Sequence, residues 1–282
     1  MGDDRAEDVI EAWAESAQYW DKHYKVIRAM FGPVTDALVE AARIAAGQRV
    51  LDVAGGSGEP SLTLAGLVGP GGHIDYADPV TGMMEVAERQ ALKRGLTNIM
   101  FHCAPAESLP FGASSFDAIT CRFGAMFFAD ALQGLKEMLR VLKPGGIMAL
   151  AVWRARELNP FFATVADIVA KHIEAPPEDP NALGAFRFAS PGSLSGLLEA
   201  AGASDVSESI LKFSIQAPIA LSEFWTTRVE MSDTLRGKVA SLTPEQLESA
   251  RREVTEAAAP YFGSGTLNTP AQAFIVSGSR ES

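Results

Sequence analysis

The stretch "VLDVAGGSGEP", Val50 to Pro60, runs from apolar residues of strand type into a glycine-rich turn. Such a turn between strand and helix offers free backbone N–H groups and a closely approachable main chain, which suits a nucleotide. The spacing narrows the choice. A dinucleotide fingerprint reads G-x-G-x-x-G, but counted from Gly56 its third glycine falls on Ser61. A P-loop needs lysine followed by Ser or Thr, and no lysine stands nearby. What remains is Asp52-x-Ala54-x-Gly56-x-Gly58, with Gly55 and Ser57 between, and Ala54 where a first glycine is usual. Ala54 is compatible with the turn if its φ is negative, since only positive φ demands glycine. Asp78, twenty residues beyond Gly58 (78 − 58), ends the next apolar run. A carboxylate there accepts two hydroxyl donors at once.

These residues need elements to hold them. Short apolar strands at Arg49–Val53, His73–Ala77, Asn98–Ala104, Phe116–Cys121 and Ile147–Trp153 alternate with helices at about Pro60–Val68, Thr81–Arg94 and Ala129–Leu142. In the last helix Leu132, Leu135, Leu139 and Leu142 recur at helical spacing, and "KPGG" (Lys143–Gly146) is expected to stop it. Strand–helix alternation with short glycine turns predicts an open parallel sheet covered by helices on both faces. Such sheets bind ligands at the carboxyl ends of their strands, where strand order reverses. The first 46 residues read as helical, with Pro33–Ala46 a helix capped by Gly47. Beyond Trp153, Asn159–Ile173 and Pro191–Ala201 read as helices, Glu174–Gly184 as a loop and Asp205–Ile215 as a strand. "NPFF" (Asn159–Phe162) starts the first of these helices. The Asn-Pro-Pro-Phe/Tyr element of amino-methylating enzymes directly follows the fourth strand, where this chain has "CRFG". Thr243-Pro244-Glu245-Gln246 has the form of a capping box. Pro218–Phe262 is thus a helical insertion before a last strand at Ala271–Ser277. One domain is expected, with helical additions early and late.

Composition excludes several classes. The 282 residues carry a net charge of −11 and no run of Lys and Arg, which disfavours nucleic acid as a partner. The longest apolar stretch, Ile147–Trp153, is far short of the ~20 residues that span a bilayer. The acidic start "MGDDRAEDVI" lacks the basic, then apolar, pattern of a secretory leader, and Ala6 stands where a myristoylation motif wants Ser or Thr. A cytoplasmic location is expected. Cys103 and Cys121, the only cysteines, are expected inside buried strands, and two are too few for a disulfide framework or zinc site. No metal is expected.

The pattern Asp52 to Gly58, the acid Asp78 followed five residues later by Met83 in "DPVTGMMEVA", the segment "APAESLPFGASSFDAITC" and "MLRVLKPGGIMALAVW" occur in this order. Together they resemble the class I S-adenosylmethionine-dependent methyltransferases, and most of all the ubiquinone/menaquinone-type small-molecule group. The resemblance covers about Tyr19 to Trp153. It implies a Rossmann-like, mostly parallel seven-stranded sheet with an N-terminal helical lid, and S-adenosylmethionine as cofactor. It implies that Asp78 binds both ribose hydroxyls, that Pro79 lies beside them and that Met83 packs on the adenine. The acid that accepts from the adenine amino group aligns with Pro105, so that contact falls to Glu107, beside Ala106, or to a backbone carbonyl. Asp52 orients the turn or meets the methionyl ammonium through water. Arg122, directly after the fourth strand, is either a surface arginine or a wall of the methionine or substrate pocket.

In "AQYWDKHY" (Ala17–Tyr24) the family folds a helix over the cofactor, so Tyr19, Trp20 and Tyr24 either approach the methionine tail or pack on the sheet edge. His23 is the best-placed histidine for base work; His73, His102 and His172 read as structural or exposed. Phe123, Phe127 and Trp153 are candidates for the wall of an apolar acceptor pocket, with Met126 and Phe128 read as core. The expected reaction is methyl transfer to oxygen or carbon of a small, partly apolar or aromatic metabolite. A non-catalytic cofactor-binding module and an NAD-dependent oxidoreductase are the alternatives; the glycine spacing opposes the second. The oligomeric state is left open.

Overall fold

The structure is a computed structural model that describes residues 2–173, 183–263 and 265–281. The chain opens with two helices, α1 (Gly2–Lys22) and α2 (Tyr24–Ala41). Alternation follows: β1 (Arg49–Val53), α3 (Ser61–Val68), β2 (His73–Asp78), α4 (Thr81–Lys93), β3 (Ile99–Cys103), β4 (Phe116–Arg122), α5 (Ala131–Val141) and β5 (Leu142–Trp153). Then come α6 (Pro160–Lys171), α7 (Ser193–Ala200), β6 (Ser204–Ala217), a helical insertion of α8 (Leu221–Glu230), α9 (Asp233–Ala240) and α10 (Pro244–Ala258), and finally β7 (Leu267–Ser279). The expected loop at Glu174–Gly184 lies, over 174–182, outside the described residues.

The seven strands form one sheet in the order β3-β2-β1-β4-β5-β7-β6. Only β7 runs antiparallel to its neighbours β5 and β6. Alternation along the strands sends residues to opposite faces. Leu51 and Val53 join Ile119, Leu135 and Val165 on one face, while Val50 joins Val34, Leu38, Leu64 and Ile74 on the other. Helices therefore cover both faces, as the alternation predicts. The chain leaves β1 toward β2 and β3, then returns to β4 on β1's other side. Strand order reverses there, between β1 and β4, where a ligand crevice opens.

Several local expectations are corrected. Pro33 does not begin a helix but lies inside α2. Ile27, Met30, Phe31, Val34 and Leu38 form a continuous buried face across it, and this packing outweighs the local cost of proline. The helix α5 ends at Val141, and "KPGG" lies inside β5 rather than in a separating turn. Phe116 pairs with Leu142 and Ala118 with Ile147, so Lys143–Gly146 is a bulge within β5. Cys103 is exposed because β3 is an edge strand; Cys121 is buried as expected. The strands β6 and β7 are longer than their apolar runs, because each pairs with the other along most of its length.

A further correction concerns Ala54. Its φ is +56, the left-handed region that costs a non-glycine residue about 1–2 kcal/mol. The glycine needed to accommodate it sits elsewhere. A Cβ added to Gly124 would lie 2.3 Å from the Ala54 Cβ and 3.0 Å from the Cys121 Sγ. Gly124→Ala is expected to cost about 1–3 kcal/mol in urea unfolding by overpacking. Combined with Ala54→Gly, it should cost measurably less than in the wild-type background. Strict additivity of the two changes would contradict this coupling.

Candidate active site

Two carboxylates at strand ends fix the glycine loop. Asp52 is fully buried in β1. Its Oδ2 accepts from the Ser61 backbone N–H at 3.0 Å and the Ser61 hydroxyl at 2.6 Å, and its Oδ1 accepts from Thr120 Oγ1 at 2.9 Å. It thus ties the start of α3 to β1 and β4. Burial pushes its carboxyl up to about 6, although these hydrogen bonds and Arg122 pull the other way. At the end of β2, Asp78 Oδ2 accepts from Gly56 N and Oδ1 from Val80 N, both at 2.9 Å. Burial, opposed by those two N–H groups, raises it also to about 6.

The loop lies flat on Tyr76, whose hydroxyl donates to the Gly56 carbonyl at 2.7 Å. A Cβ on Gly55 would stand 2.3 Å from the Tyr76 ring, so a side chain has no room there. Gly56 and Gly58 both take positive φ.

Above the loop opens a cavity of about 860 Å³. Its floor is Ala54, Gly55, Gly56 and Ser57; Asp78, Pro79, Val80 and Met83 form one side, and Pro105, Ala106 and Glu107 the end beside it. The rest of the wall is largely aromatic: Phe31, Phe123, Phe127 and Phe128, with Trp13 and Trp20 of α1 packed beside Val80 and Met83. Trp13 meets Trp20 and Phe127 edge-on, with centroids 5.4 and 5.1 Å apart. Arg187, from the segment before α7, closes a further part of the wall and donates to the Phe128 carbonyl at 2.6 Å.

The cavity gathers Ala54, Gly55, Gly56, Ser57, Asp78, Pro79, Met83, Ala106, Glu107, Arg122, Trp20, Phe123 and Phe127 from the sequence-predicted set. The others stand outside its wall. Asp52 and Gly58 lie behind the loop. Trp153 is stacked on the back of Phe123, with centroids 3.9 Å apart. Tyr19 lies under the Arg236 guanidinium at 4.9 Å. Tyr24 bonds Arg94 and lies 3.4 Å from Glu59, and burial, with the Glu59 charge, pushes its phenol up to about 12.

His23 is likewise outside. Its Nε2 lies 2.6 Å from Glu230 Oε2, whose partner oxygen holds Lys22 at 2.7 Å. Burial opposes ionisation of Glu230, but the hydrogen bonds from Lys22 and His23 hold its carboxyl below the usual range. This pairing, which fastens α1 to the helical insertion, occupies the histidine expected as a base. Among the described lining residues none is His, Lys, Tyr or Cys. Trp13, Phe31, Glu59 and Arg187 were not anticipated from the sequence. The first belongs to a helix whose placement depends on its packing against α4, and the last follows a stretch of sequence without hydrophobic periodicity.

A family model for the ubiE/COQ5 methyltransferase family matches residues 14–173, more than half of the chain. The chain belongs to this family. This is the family group that the ordered motifs from Asp52 to Trp153 resemble. It is 38% identical over 131 residues to the ubiquinone/menaquinone biosynthesis C-methyltransferase UbiE of Hahella chejuensis, across 46% of this chain and 52% of that protein. The chain thus spans about half the length of the curated UbiE relatives it matches.

The YcgJ protein of Bacillus subtilis has a similar fold, with TM-score 0.56 and 21% identity, covering 88% of this chain and 98% of that one. A phosphoethanolamine N-methyltransferase of Haemonchus contortus in complex with S-adenosylhomocysteine has TM-score 0.56 and 16% identity, over 96% and 59% of the respective chains. At these identities the likeness is one of fold.

The raised carboxyl of Asp52 gives a pH signature. Its folded-state value of about 6 exceeds the ordinary 3.8, so the folded state binds the extra proton. The stability it contributes is present below about pH 4 and lost as pH rises through about 6. Asp52→Asn should therefore flatten the decline in unfolding free energy between pH 4 and 7, relative to wild type. An unchanged slope would contradict the buried-acid assignment.

Proposed function

We propose that the protein transfers a methyl group from S-adenosylmethionine to a carbon or oxygen atom of a small, partly aromatic acceptor. The supporting observation is that one cavity joins a glycine floor and a ribose-type acid to a wall of six aromatic side chains. The residues suit the cofactor. Each Asp78 oxygen takes one backbone N–H and keeps lone-pair capacity for a hydroxyl, and the side-chain-free Gly55 lets the loop lie against Tyr76.

When bound, S-adenosylmethionine supplies a methyl on a sulfonium, activated toward an in-line nucleophile. The protein's share is placement. Asp78 accepts the ribose hydroxyls; Val80 and Met83 pack against the base; Glu107, whose Oε1 takes the Asp130 N–H at 3.2 Å, offers its other oxygen to the adenine amino group. Trp13, Trp20, Phe123 and Phe127 fix the acceptor ring and exclude water, which keeps the reacting atoms in register. The described wall holds no His, Lys, Tyr or Cys, so an acceptor proton passes to one of the lining carboxylates or to water, unless the acceptor enters already ionised. The C-methyltransferase name of the UbiE relatives favours carbon and a quinone-type ring.

Calorimetric titration tests this reading. S-adenosylmethionine and S-adenosylhomocysteine should bind and NADH should not. Asp78→Asn should weaken S-adenosylhomocysteine by about 1–3 kcal/mol. Asp78 titrates near 6 in the free protein, and its ionised form is the better acceptor. Wild-type affinity should be full above about pH 6 and fall as pH drops below it, a dependence that Asp78→Asn removes. Binding of NADH in preference to both sulfur nucleosides would overturn the reading.

A further inference from the structure

Arg122 is a cation in the cavity wall without a bonded anion. It ends β4; its Nη1 donates to Thr35 Oγ1 at 3.0 Å and its Nη2 to the Glu59 carbonyl at 2.8 Å. Both acceptors are neutral. The two carboxylates whose charge it feels, Glu59 and Asp52, are engaged elsewhere. Glu59 holds Arg94 at 2.8 Å, Arg28 at 3.3 Å and the Thr63 hydroxyl at 2.6 Å. Asp52 is saturated by Ser61 and Thr120. A guanidinium has five N–H donors in a planar fork, and two are used here. Such a half-buried guanidinium on the cavity wall gains from a counter-charge, and the cavity is the side from which one can arrive.

Register gives its distance from the other charged pole. Asp52 pairs with Tyr76 of β2 and with Thr120 of β4. Asp78 and Arg122 each lie two residues further, so they stand level on either side of Ala54. Two strand spacings separate them, roughly 10 Å. The glycine loop therefore lies between an acid suited to hydroxyl donors and a cation suited to a carboxylate.

We infer that Arg122 binds the amino-acid carboxylate of the cofactor, while Asp78 holds its ribose at the other side of the loop. This rests on the cofactor reading proposed above, and makes Arg122 the residue that selects an intact amino-acid tail.

Three ligands separate the possibilities: S-adenosylhomocysteine, its decarboxylated analogue S-adenosyl-3-thiopropylamine, and 5′-methylthioadenosine, which lacks the tail. Wild type should favour the first over the second by on the order of tenfold to a hundredfold, the range of hydrogen bonds to a charged group. Arg122→Gln should bring those two together and leave methylthioadenosine binding unchanged. Arg122→Lys, which keeps the charge but not the fork, should retain part of the preference and serves if the glutamine variant does not fold. Equal wild-type affinity for the first two ligands would overturn the assignment and leave the acceptor as the anion. So would a glutamine variant that still discriminates, or one weakened for all three ligands alike, which would mark a structural strut. Wild-type protein that bound none of the three would remove the cofactor reading itself, and this assignment with it.

Discussion

Everything at the site depends on carboxylates kept out of water at the ends of two adjacent strands. Asp52 and Asp78 accept the N–H groups of Gly56, Ser61 and Val80 in the turns after β1 and β2, and Asp52 the Ser61 and Thr120 hydroxyls besides. Without Asp52 the start of α3 loses its anchor to β1 and β4; without Asp78 the Gly56 N–H has no acceptor there. Burial raises both acids, and that is the energetic cost of a loop whose shape is set before any ligand arrives. A preformed loop spares a ligand the entropy of ordering it.

Around that loop the cavity divides by chemistry. The floor and one side present backbone N–H groups, acids and a guanidinium, while the roof presents indole and phenyl faces. Aromatic walls discriminate by shape and by π contact more than by charge, and here Trp13, Trp20 and Phe127 supply much of that surface. These come from α1 and from the turn after β4. The loop, by contrast, comes from β1 and the turn that follows it. Roof and floor can therefore vary independently, which is how one fold serves different acceptors.

Much of this was legible in the residues. The alternation of period-2 runs and helical runs gave the parallel sheet, and the interval from Gly58 to Asp78 placed the acid at the end of the second strand, beside the loop. What was not legible depends on contacts distant in sequence. Ala54 adopts positive φ because Gly124 makes way for its methyl group, and neither position alone betrays this. Tyr24 and His23 looked like cavity residues by proximity to Trp20. Glu59 with Arg94 claims one, and Glu230 claims the other. The helix through Pro33 defeated a local rule because its buried face continues across the proline.

The strand β7 follows β6 in the chain yet lies between β6 and β5. Until it inserts, β6 has no hydrogen-bonded neighbour and the exposed edge of β5 is unpaired. The roof waits on the same region, since α1 is fastened by Lys22 and His23 to Glu230 of α8, and by Ser16 to Arg236 of α9. Such pairings join residues more than two hundred positions apart, and closing loops of that length slows folding. The parallel half of the sheet, by contrast, is joined by short local crossovers. The nucleotide-facing half can thus assemble early, with its apolar roof and last strand edge arriving late, and the intermediate between them presents an unpaired strand edge to other chains.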